Sequence, residues 1–162
     1  MSNLPPPSLP LIGWREWVTL PDIGITAVKA KVDTGARSSA LHAFDVEGFS
    51  RDGKEMVRFK VHPFQRKLEP TVSGEGELLC MRQVRNSGGQ ETLRPVILTT
   101  IELAGQRSQV EVTLTSRDAM GFRMLLGRQA LRRRFLVDPN RSYLAGKRPR
   151  RKKKTKKKRA AE

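Results

Sequence analysis

Cysteine is almost absent from this chain: Cys80 stands alone among 162 residues. That excludes an internal disulfide and a thiolate cluster for structural zinc, and it suits a reducing compartment. No apolar run approaches the ~18 residues of a membrane-spanning helix. The opening Met1 to Pro10 also lacks the basic start and apolar stretch of an export signal. A soluble, non-exported, cytoplasmic protein is therefore the expectation. Histidine occurs only twice and acid is scarce, with 16 Asp and Glu against 32 Lys and Arg, for a net charge of +16. The imbalance is local. Lys147 to Arg159 holds eleven cations and no acid, leaving 21 basic and 15 acidic side chains, or +6, over residues 1–146.

Two motifs are missing as well. There is no His-Glu-x-x-His pair to hold zinc on a helix, and no Gly-x-x-x-x-Gly-Lys-Ser/Thr loop to cradle the phosphates of ATP. What remains is room for one core plus tails. Residues 1–11, with prolines at 5, 6 and 7, read as a disordered lead-in; 12–145 as the domain; 146–162 as a disordered Lys/Arg-rich tail whose like charges repel.

The domain shows short β-branched or alternating runs broken by turn residues and no long segment of helical period. Strands are expected at 14–20, 25–32, 40–46, 55–61, 77–85, 92–103, 107–115 and 122–126. Asp52-Gly53 is a two-residue hairpin signal, because both residues tolerate positive φ. Asn86 to Gly89 and Ala104-Gly105 are weaker signals of the same kind. One short helix is expected from Arg128 to Arg133, and Asp138-Pro139-Asn140 reads as a turn.

The sharpest local feature is Val32-Asp33-Thr34-Gly35-Ala36, an apolar strand that delivers an aspartate into a Thr-Gly turn. Two carboxylates held ~3 Å apart cannot both ionise, so they share a proton; one can activate a water while the other donates to a carbonyl oxygen. Glycine permits the close approach, and the threonine hydroxyl is expected to lock the turn. Asp-Thr-Gly alone is also an ordinary turn. A second element, Met124-Leu125-Leu126-Gly127-Arg128, reads as an apolar strand entering the short helix and adds weight to the catalytic reading.

Together these segments resemble the retropepsin-like aspartic peptidases, and more closely a bacterial family described as putative ATP-dependent zinc proteases and associated with ATP-grasp glutamate ligases of ribosomal-protein modification. Ile12 to Val18, Lys31 to Ala43, Phe59 to Pro63, Glu111 to Thr115 and Gly121 to Pro139 carry the likeness. It implies an all-β fold: a retropepsin-like closed β-barrel with one short C-terminal helix. It makes Asp33 the catalytic carboxylate, Thr34 and Gly35 its turn, Ala36 and Arg128 supporting residues, and Gly127 the close-packing residue beside it. With a single such motif in the chain, the second carboxylate must come from another copy, so a symmetric homodimer is implied. Retroviral proteases place an acid after Ala36 to pair with the later arginine. Here Arg37 and Ser38 follow, which leaves Arg128 without that partner. The long gap between Asp33 and Gly127 implies an enlarged flap, either the Asp52-Gly53 hairpin or the stretch Ser73-Gly74-Glu75-Gly76.

No cofactor is expected, since zinc is suggested only by the family's description. The weak metal candidates are His42 and His62, which with Cys80 or Glu77 would have to assemble a site across strands. Otherwise His42 is a strand residue and His62 a turn residue before Pro63. Trp14 and Trp17 read as core or dimer-face packing, Cys80 as a buried small hydrophobe, and Arg132 to Arg134 as a solvated helix end. The tail would contact RNA or the ribosome through counterion release, without base selectivity because it has no aromatics to stack. Three functions follow. One is a dimeric aspartic peptidase acting on a peptide or protein, acidic or ribosomal; the others are a catalytically silent binding module and a zinc-dependent protease. Association with a glutamate ligase follows from the resemblance alone.

Overall fold

The computed structural model describes residues 8–85, 88–116 and 121–149. Eleven strands follow one another: β1 (Leu11–Gly13), β2 (Arg15–Leu20), β3 (Ile25–Val32), β4 (Ser39–His42), β5 (Phe44–Arg51), β6 (Lys54–Val61), β7 (Val72–Arg85), β8 (Glu91–Leu103), β9 (Gln106–Thr115), β10 (Met124–Leu126) and β11 (Leu136–Asp138). A 3-10 turn at Pro21–Ile23 joins β2 to β3, and the helix α1 (Arg128–Leu131) follows β10.

The main sheet runs β2-β3-β10-β4-β9-β8-β7-β6-β5, and Thr19 of β2 pairs with Glu102 of β8. That pairing closes β2, β3, β10, β4, β9 and β8 into a six-stranded barrel. β7 lies outside the ring: its first half pairs with β6, from Val72 opposite Val61 to Glu77 opposite Met56. Its second half pairs with β8, from Glu77 opposite Leu98 to Arg85 opposite Glu91. Because β9 begins its pairing with β8 only at Val96, residues 81–85 and 91–95 form a two-stranded arm beyond the barrel.

Alternation in the sequence explains the core. Val18 and Leu20 of β2, Val28 and Ala30 of β3, Phe59 and Val61 of β6, and Ile97 and Ile101 of β8 are all buried. Each large side chain removed from water contributes on the order of 2 kcal/mol. β3 runs as expected, and the Asp52-Gly53 hairpin forms with φ of 50° and 77° at its two residues.

Several expectations need correcting. The run 40–46 is two strands broken at Ala43, and β5 continues to Arg51. Ser73 to Gly76, one of the two flap candidates and outside the expected strands, belongs to the start of β7, where a Cβ at Gly74 would lie 2.4 Å from Ile23 Cγ2. The glycine there serves close packing. The helix stops at Leu131, since Arg132 is extended and Arg133 has φ of 66°. Cys80 is exposed, because a bulge between Leu78 and Cys80 precedes the arm, where β7 has left the core. The short strands β1 and β11 were not anticipated; they pair in parallel, Leu11 opposite Leu136. Of the predicted turn at Asn86 to Gly89, residues 86–87 lie outside the described residues, as do 1–7 of the lead-in and 150–162 of the tail.

Candidate active site

β10 is wedged between β3, to which it is parallel, and β4, to which it is antiparallel. This wedge brings the two sequence motifs together. Asp33 leaves β3 with its N–H donating to the Leu126 carbonyl at 2.9 Å, and the preceding Val32 N–H donates to Trp14 O at 2.8 Å. The turn then closes on itself: Gly35 N–H donates to Asp33 Oδ1 at 2.9 Å and Ala36 N–H to Asp33 O at 3.3 Å. A backbone N–H on one carboxylate oxygen fixes the rotation of the group.

The helix end clamps the same turn. Arg128 N–H donates to Ala36 O at 2.8 Å, Gln129 N–H to Arg37 O at 3.1 Å, and the Arg128 guanidinium to Thr34 O at 3.0 Å. The partner that the sequence left open for Arg128 is thus a backbone carbonyl. Gly127 N–H donates to Ser39 Oγ at 3.1 Å, and a Cβ at Gly127 would sit 2.4 Å from Ser38 O. No side chain fits there without moving backbone. The threonine lock is different from the expectation. Thr34 is exposed, and among the described residues its hydroxyl makes no hydrogen bond, so its carbonyl rather than its side chain ties the turn.

Asp33 is half-buried, whereas Thr34, Gly35, Arg37 and Arg128 are exposed. From residue 33 to 38 the one acid is Asp33, and the flanking cations are Arg37 and Arg128. The metal candidates are not gathered. His42 lies in β4, with its N–H donating to Arg123 O at 2.7 Å. The His62 ring packs on Phe44 with centroids 4.5 Å apart, and its Nδ1 is 3.3 Å from Thr71 Oγ1. Among the described residues no group of three or more His, Cys, Asp or Glu could hold a metal ion.

Sequence reading missed Glu16. It is fully buried and accepts three backbone hydrogen bonds, from Gly13 at 2.6 Å, Leu144 at 2.9 Å and Ala145 at 3.0 Å. It therefore ties the entry to β2, whose neighbour Trp14 holds Val32, to the segment after β11. The available signal was a lone carboxylate in register with Val18 and Leu20 on the inward face of a strand. Ser39, the acceptor for Gly127, was named in the motif but given no role.

A closed barrel with an Asp-Thr-Gly turn buttressed by a glycine-arginine strand end is a retropepsin-like fold. A family model described as "Retropepsin-like aspartic endopeptidase RimB" matches residues 11–148, and the chain belongs to this RimB-like family. It is 42% identical over 136 residues to a probable alpha-L-glutamate ligase of Shewanella pealeana, covering 84% of this chain and 30% of that protein. It is 44% identical over 136 residues to one of Parasynechococcus marenigrum, covering 84% of this chain and 29% of that protein. The chain thus spans under a third of the curated relatives it matches. The crystal structure of a Legionella pneumophila protein of unknown function superposes with a TM-score of 0.72 at 31% identity, covering 85% of this chain and 99% of that one. Among the described residues no helix is long and apolar enough to cross a membrane.

Proposed function

We propose that the chain is one half of a symmetric aspartic peptidase whose two Asp33 carboxylates, one from each copy, activate a water for peptide-bond hydrolysis. The observation that carries this reading is the clamped turn. Asp33 Oδ1 is held by Gly35 N–H, and the Asp33 backbone is pinned to Leu126. Two such groups across a two-fold axis share one proton: the ionised member takes a proton from water as the hydroxyl attacks the carbonyl carbon, and the protonated member donates to the carbonyl oxygen. As the tetrahedral adduct collapses, the carboxyl that took the water's proton gives it to the nitrogen, the other carboxylate takes a proton back from an adduct hydroxyl, and the C–N bond breaks to release the amine.

The apolar edge formed by Leu11 and Leu136, which are opposite each other in register and 44% and 55% exposed, suits contact with the second copy. The β7–β8 arm is the flap in this reading. Met81 and Leu93 on it are exposed apolar residues with no core beneath them. Thr34, Gly35 and Ala36 form the supporting turn, with residues 12–145 as the catalytic domain and 1–11 and 146–162 as its tails.

The exposed Arg37 and Arg128 favour an acidic peptide. The relatives named as glutamate ligases make a glutamate-bearing protein, made by a ligase that associates with this chain, the first substrate to try. The reaction needs no cofactor, and the tail adds a polyanion contact such as RNA or the ribosome. Its place is the cytoplasm. The competing reading is a silent binding module, favoured by the match to a segment of proteins named as ligases. Cleavage of a glutamate-rich peptide in the presence of a statine-type mimic or a chelator separates the readings. Inhibition by the first supports the peptidase, inhibition by the second revives zinc, and binding without cleavage leaves the module.

A further inference from the structure

Outside this site, one surface gathers aromatic rings and cations. Arg15, Trp17, Lys29 and Lys31 are half-buried and alternate with the buried residues of β2 and β3, and the register sets Arg15 opposite Lys31 and Trp17 opposite Lys29. The segment after β11 crosses this face. Tyr143 stacks on Trp17 with centroids 6.0 Å apart and 18° between planes. The Arg15 guanidinium lies 4.7 Å from the Trp14 ring and 5.0 Å from that of Tyr143. Lys29 Nζ lies 5.4 Å from Trp17, and Arg148 lies 4.9 Å from Phe64 and 5.9 Å from Trp17. Among the described residues, none of Arg15, Lys29 and Arg148 is in an ion pair.

Rings interleaved with cations are the makeup of a single-stranded nucleic-acid platform: bases stack on rings while cations follow the phosphates. The cationic tail starts at this face. Lys147 and Arg148 are its first two cations, and nine more follow by Arg159. The tail alone attracts any polyanion but cannot tell bases from carboxylates, because it has no ring. The fold supplies the rings at its root. We infer that the face built on Trp17, Tyr143, Arg15 and Lys29 binds single-stranded RNA by base stacking. An acidic polypeptide offers charge but nothing to stack, so RNA fits the rings better.

The test uses the full chain and an oligouridylate of about 12 nucleotides, within the usual site size for such platforms. Single-stranded RNA is expected to quench the tryptophan emission of the wild type, whereas duplex RNA and polyglutamate of matched charge are not. By fluorescence anisotropy, Trp17→Leu should weaken binding about ten-fold with an unchanged salt slope. Lys29→Gln should lower that slope by about 1. If the oligouridylate binds without quenching, or binds no more tightly than duplex and polyglutamate, the tail acts alone and the inference fails. An unaltered affinity in a folded Trp17→Leu protein refutes it equally. The wild-type quench decides the matter should that variant not fold.

Discussion

Replacing Glu16 by glutamine changes almost no volume and should still cost the fold heavily. The carboxylate is fully buried and has both oxygens engaged: Oε2 accepts from Gly13 and Leu144, and Oε1 from Ala145. A glutamine can present one oxygen to one side only, and its NH2 must then point at a backbone N–H. A hydrogen bond to a charged group is worth about 1.5–3 kcal/mol, and a buried donor left unsatisfied costs about 1–3 kcal/mol. Loss of one such bond with one orphaned donor therefore destabilises by about 3 kcal/mol or more. Glu16→Ala, which orphans all three donors, should cost at least as much. For a domain of this size the Tm falls by about 4 °C per kcal/mol, so Glu16→Gln should melt roughly 10 °C lower. Urea unfolding gives the free energy directly. Hydrogen exchange at Leu144 and Ala145 should accelerate before the barrel amides do, because the lost bonds hold that segment. A Glu16→Gln protein within about 0.5 kcal/mol of wild type would refute the reasoning and mean that the geometry around Glu16 carries little energy.

Gly127→Ala should destabilise by about 2–4 kcal/mol and reduce peptidase activity together, because the new Cβ would meet Ser38 backbone at 2.4 Å; urea unfolding beside activity checks both. Cys80, exposed on β7, should react stoichiometrically with an aromatic disulfide reagent in the native state, whereas a slow reaction tied to unfolding would show it buried. The Glu75 carboxyl should titrate below the ordinary carboxylate range because Arg51 donates to it at 2.8 Å. A depressed folded pKa gives stability that is present above the unfolded value and lost as pH falls through the folded one. Arg51→Gln should bring the titration, followed by side-chain NMR, back toward the ordinary range.

The parts of this molecule legible in its sequence are those where local chemistry and long-range packing agree. β3 alternates and ends at Val32, just before Asp33, and Asp52-Gly53 favours a tight hairpin, so both were readable. Asp33 and Gly127 were readable as a pair because the motif resemblance joined them; no local rule sets β10 between β3 and β4. Misreadings came where tertiary context overrode local composition. Gly74 and Gly76 fell outside the expected strands, yet they sit in β7, where Ile23, Phe59 and Ile97 press against that strand. Cys80 looks like core, but it follows the bulge at Leu79 on a strand that lies outside the barrel, and it is exposed. Glu16 was invisible as a lock because its three donors are backbone groups, two of them far along the chain, and sequence carries no mark of a backbone amide. The same holds for Arg128, whose partner is the Thr34 carbonyl rather than an acid.

The central claim is that two copies share one site through Asp33, and a mixing experiment tests it most directly. Wild type and Asp33→Asn are each sized by sedimentation, then combined at rising mutant excess while cleavage of a glutamate-rich peptide is followed from acidic to neutral pH. Both proteins should be dimers, Asp33→Asn alone should be inactive, and mixing should suppress activity beyond simple dilution as wild-type copies enter mixed dimers with one carboxylate. Activity that follows dilution alone after subunits have exchanged, or an Asp33→Asn protein that cleaves like wild type, would contradict it.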